Sequence, residues 1–90
     1  MTPRVVLLSL SLDLKRICTA IQRNSSAVSK FNSEAKGWLG QVITDDENLK
    51  KMLDKVEKTL SMENNLEKAE DCLMYSFLIQ NRALSINHKL

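Results

Sequence analysis

Histidine is nearly absent from this chain, and that limits its chemistry first. One histidine, His88, and two separated cysteines, Cys18 and Cys72, are all the soft ligands in 90 residues. A zinc site needs several such ligands converging on one ion, so no metal site is expected. Two cysteines so far apart do not make a disulfide framework either, and both fall on apolar stripes; buried free thiols in a reducing cytoplasm are the expectation, with a bridge between them left open. Glycine is equally scarce, with two residues, and proline occurs once. A β-rich fold needs many turn residues, so this scarcity favours helices, and no glycine-rich phosphate loop or nucleophile elbow is present. The apolar run Val5–Leu14 is broken by Asp13. It is far short of the ~20 residues that span a bilayer and precedes no small-x-small cleavage site, so a soluble, untargeted protein is expected.

What remains is an ordinary globular composition, 43% hydrophobic and 27% charged, which suits one domain over residues 1–90 rather than a disordered tail. The net charge of +2 is unevenly spread. Residues 1–40 carry six basic groups against two acids, and residues 41–90 seven against nine. The first half therefore suits an anionic partner without requiring one.

Four helices follow from periodicity. In the first, ending near Arg23, Leu7, Leu10, Leu14, Ile17, Cys18 and Ile21 share a face, and Val5, Leu8 and Leu12 form a second stripe. Residues 8–14 also alternate as a strand would; a strand there has no partner within the chain and would have to pair with another subunit, so helix is preferred. The second helix starts from a cap among Asn24, Ser25 and Ser26 and carries Val28, Phe31, Ala35, Trp38, Leu39 and Val42. Gly37 and Gly40 lie inside it and mark a frayed end or a close helix crossing. Thr44 and Glu47 read as a capping box opening the third helix, with Leu49, Met52, Leu53, Val56 and Leu60 on one seam. Asn64 and Glu67 repeat that logic for the fourth, which runs to about Asn87. From Cys72 to Ile79 only Ser76 is polar, so this helix reads as buried nearly all round, at the centre of the bundle or in a subunit interface.

The expected fold is all-α, an antiparallel four-helix bundle that self-associates. Leu10, Leu14, Ile17, Phe31, Trp38, Leu53, Val56, Leu73, Phe77 and Leu84 are its expected core. Trp38 and Tyr75 lie on apolar stripes, which suits packing better than base stacking. The second stripe of the first helix and the outer faces of the fourth exceed what a monomer this small hides. Val5, Leu8, Leu12, Met74 and Leu78 are therefore the candidate interface residues, and a homodimer is the simplest partner. The function expected is non-enzymatic protein–protein interaction. Paired acids such as Asp45/Asp46 and Glu70/Asp71 are placed at helix starts or in solvent, and no cofactor is implied.

Two short segments resemble known families. Residues 17–31, ICTAIQRNSSAVSKF, resemble the helix-turn-helix of phage-repressor-like DNA-binding proteins. Ile17 and Ile21 sit at its apolar positions and Cys18 at its small one. The resemblance implies a recognition helix in which Ser25, Ser26, Ser29 and Lys30 read base edges in the major groove. Gln22 stands where that family usually has glycine, and Arg23 where it has a buried aliphatic. Arg82-x5-His88 resembles the R-x4-6-H motif of HEPN ribonucleases, helical dimers in which the arginine and histidine cleave RNA.

Overall fold

The computed structural model describes residues 2–85, and four helices with no strand are present among them. They are α1 (Pro3–Gln22), α2 (Val28–Gln41), α3 (Glu47–Leu60) and α4 (Leu66–Ser85). Together they form a compact bundle of 42 × 20 × 19 Å, in which α1 packs most extensively against α4 and then against α2.

Each helix boundary has a local cause. Thr2 accepts a hydrogen bond from the Val5 amide at 3.3 Å, and Pro3 follows at the first helical position, where its missing N–H costs nothing. The strand-like alternation of residues 8–14 is thus overridden; the segment is helix throughout. At the other end of α1, Asn24 adopts φ 55°. Its amide donates to the Ile21 carbonyl at 3.0 Å and the Ser25 amide to that of Ala20 at 2.8 Å, a Schellman ending.

The expected caps shift by one or two residues. Ser25 does not cap α2; its hydroxyl accepts from the Ala27 amide, and the helix starts at Val28 with no side-chain cap. Thr44 accepts from the Asp46 amide rather than from Glu47, and Asp46 caps α3 by accepting from Leu49 at 3.1 Å. Asn65, not Asn64, accepts from the Lys68 amide at 3.0 Å at the start of α4. The α2 glycines neither end the helix nor mark a crossing. Helix α2 continues to Gln41, and a Cβ on Gly37 or Gly40 would meet nothing within 4 Å.

The core joins two unlike seams. Helix α1 contributes Leu7, Leu10, Leu14 and Ile17, all buried. Each stabilises the fold by about 2 kcal/mol when removed from water. Helix α4 contributes Ala69, Cys72, Ser76, Ile79 and Ala83, spaced three and four apart and equally buried. All but Ile79 are small, and small residues at that spacing make a shallow channel into which bulky side chains of a neighbour fit. Ser76 tolerates burial because its hydroxyl donates to the Leu73 carbonyl at 2.6 Å. Leu49, Leu53, Val56 and Leu60 of α3 and Val28 and Ala35 of α2 complete the core.

This arrangement corrects the expected core. Leu73, Phe77 and Leu84 are exposed, so α4 is buried on one side only. Phe31 and Trp38 are half-buried and pack against the core edge, as does Tyr75. The remaining α4 residues expected to be helical, to Asn87, lie in part outside the described residues.

Candidate interaction surface

Among the described residues no three His, Cys, Asp or Glu side chains come together as a metal ion would need, and no helix is long and apolar enough to cross a membrane. Cys18 and Cys72 are both free and buried. Burial pushes the Cys72 thiol up to about 12, and raises Cys18 as well, so neither forms a thiolate readily at neutral pH. Arg82 pairs with Asp46, tying the last turn of α4 to the cap of α3. His88, the other half of the HEPN-like pair, lies outside the described residues. Glu70 is exposed and Asp71 half-buried at the start of α4.

Two buried charges had no signal in the sequence. Asp13 is only 1% exposed. Burial raises its carboxyl above the usual 3.8, opposed by the hydrogen bond from Arg16 and aided by Glu34 of α2. The Arg16 guanidinium donates to Asp13 Oδ1 at 3.2 Å. Lys68 is 2% exposed. Its ammonium donates to the Leu60 and Met62 carbonyls at 3.1 and 3.2 Å, and to Oδ1 of Asn32 and Asn64 at 2.9 and 3.0 Å. Those oxygens come from α2, from the end of α3 and from the loop after it. A lysine ammonium suits the last carbonyls of a helix, where the dipole is negative. Burial nonetheless lowers its pKa from the usual 10.5.

The surface feature that stands out is the outward side of α4. Leu73, Met74, Phe77, Leu78 and Leu84 are all exposed, Phe77 by 52%. They follow from the seam: once residues 69, 72, 76, 79 and 83 face inward, the bulky ones beside them in sequence face water. No charged residue occurs from Cys72 to Asn81. The ridge borders α1 at Lys15, whose ammonium lies 5.2 Å from the Phe77 ring centroid and donates to Gln80 Oε1 at 2.8 Å.

Of the interface residues expected from sequence, Met74 and Leu78 belong to this ridge. Val5 and Leu12 are exposed on α1, and Leu8 is half-buried against the core. Leu12 opens instead on a groove of about 440 Å³ that it shares with Asp13, Glu34 and Trp38, on the flank toward α2. The residues missed are Leu73, Phe77 and Leu84. At the start of α2, Ser26, Ser29 and Lys30 are exposed and Ser25 is half-buried. A second groove, of about 290 Å³, lies beside them at the corner of α1 and α2.

No protein-family model, no curated protein and no solved structure matches this chain.

Proposed function

We propose that this chain is a non-enzymatic interaction protein whose first partner is a second copy of itself, bound through the outward ridge of α4. The observation that carries this reading is the uncharged, exposed row Leu73, Met74, Phe77, Leu78 and Leu84. A small monomer rarely leaves so many large apolar side chains together in water. A second α4 crossing antiparallel near Leu78 would set Leu73 of each copy opposite Leu84 of the other, with Phe77 and Leu78 at the crossing. That self-complementarity is what a twofold interface requires. Leu66, exposed one helical stretch before Leu73, extends the same side.

Sedimentation over a range of concentrations tests the reading. The wild-type chain is expected to shift from monomer to dimer, and Phe77→Glu to remain monomeric with unchanged helical content. A wild-type monomer at every concentration would remove the self-association.

A second reading, DNA binding through the start of α2, is supported by the exposure of Ser26, Ser29 and Lys30. It predicts duplex binding that falls steeply with salt and is lost in Lys30→Glu. Absence of binding at low salt ends it.

A further inference from the structure

The geometry points to a binding pocket for a small organic anion, a phosphate monoester on a compact apolar body, at the corner between α1 and α2. Here the Asn24 turn folds the chain back so that Ser25 and Ala27 stand opposite Thr19 and Ala20 across a groove of about 290 Å³. Lys15, Arg16 and Arg23 line it, and no carboxylate does. Arg16 and Arg23 keep donors that the fold does not use, whereas the Lys15 ammonium is turned to α4 and gives the groove its stem. Lys15 bonds to the neutral amide of Gln80. Arg16 gives one nitrogen to Asp13 and leaves its side chain 47% exposed. Arg23 has no carboxylate partner among the described residues.

The rest of the lining sorts by chemistry. Thr19 and Ser25 bring hydroxyls; because Ser25 Oγ already accepts from the Ala27 amide, its O–H is left to donate. Ala20, Ala27 and the half-buried Phe31 ring make an apolar side. The Arg16 guanidinium stands over that ring, 5.6 Å from its centroid. Two guanidiniums and two hydroxyl donors exceed what one carboxylate accepts but match the oxygens and double charge of a phosphate monoester. The volume lies at the small end of ligand sites and fits one ring with its head group rather than a nucleotide. The pocket meets the α4 ridge at Lys15, so its test is placed at residues away from that contact.

The test is titration of the full isotope-labelled chain with phenyl phosphate, followed by amide NMR shifts. Saturable shifts are expected at residues 15–31, with phenol and inorganic phosphate both binding more weakly because each lacks one half of the ligand. Losing one charge-assisted contact in Arg23→Gln is expected to weaken binding about tenfold. Arg23 is exposed at a helix end, so the variant should keep the wild-type unfolding midpoint; Thr19→Val, at an exposed hydroxyl of the groove, gives an independent second variant. Absence of saturable shifts overturns the proposal, as does binding indifferent to both substitutions. Inorganic phosphate binding as tightly as phenyl phosphate overturns the apolar half of the ligand. Duplex DNA shifting the same residues at lower concentration overturns the small-ligand reading in favour of backbone phosphate.

Discussion

Helices α1 and α4 are the two 20-residue elements of the bundle, and they solve opposite problems. Helix α1 places its largest aliphatics inside, at Leu7, Leu10, Leu14 and Ile17. Helix α4 places mostly small residues inside, with Ile79 the one large aliphatic among them, and leaves its leucines and Phe77 outside. The pairing is complementary: bulky side chains of one helix need the channel that small ones leave on the other. The lesson is that α4's bulk is surplus to the fold of one chain. An exposed leucine by itself is unremarkable. Five large apolar residues on one side of a helix are more than the fold uses, and that surplus is the reason to look for a partner.

Four substitutions sharpen or break the contrast, the largest effect first. Leu14→Ala empties a fully buried site and is expected to cost about 3 kcal/mol in urea unfolding. Leu73→Ala, measured in the monomeric Phe77→Glu background, should cost under about 0.5 kcal/mol, as surface changes do. Comparable losses at both positions would mean that α4's outer side is part of the monomer's core after all.

Lys68→Met comes next. It keeps an apolar stem on the inner side of α4 but leaves the oxygens of Asn32, Leu60, Met62 and Asn64 without their shared donor. A loss of about 2 kcal/mol is expected, together with faster amide exchange through residues 61–65. A neutral result would show that water replaces the ammonium there at no cost.

Asp13→Asn has the smallest effect and the opposite sign. Because the folded state raises the Asp13 pKa, it favours the protonated carboxyl. The stability linked to this group is complete below the usual 3.8 and is lost as the pH rises through the folded value. The amide, which cannot ionise, is therefore expected to raise the unfolding midpoint at neutral pH, with the gain shrinking toward acid. A lower midpoint at neutral pH would show that attraction to Arg16 outweighs burial and the nearness of Glu34.

How much of this was legible in the sequence depends on the signal each feature leaves. The four helices were, because apolar spacing is repeated over several turns and does not depend on any one residue. The caps were located only to within a residue or two. Thr44 stands two residues before Asp46, and Asn64 beside Asn65; each can accept a backbone hydrogen bond, and only the path of the loop selects one. The core side of α4 was misplaced because ranking by hydrophobicity favours Leu73, Phe77 and Leu84 over Ala69, Cys72 and Ser76. What decided it was the bulk already presented by α1, a property of the pair. Met74 and Leu78 were placed at the surface, but their neighbours on the ridge were not. The corner pocket joins Lys15 and Arg16 to Arg23, Ser25 and Phe31 across a turn, and the serines next to it were singled out without the cations.

Lys68 left the least trace, since a lysine between acids and asparagines looks like any solvated residue. Its ammonium acts as a resident ion, held on a tether and coordinated as a free cation would be by two carbonyls and two amides. Residues 61–65 hold no apolar anchor except Met62, so their conformation is organised around that charge rather than by packing of their own. The loop joining α3 to α4 is in this sense written by a residue that comes after it.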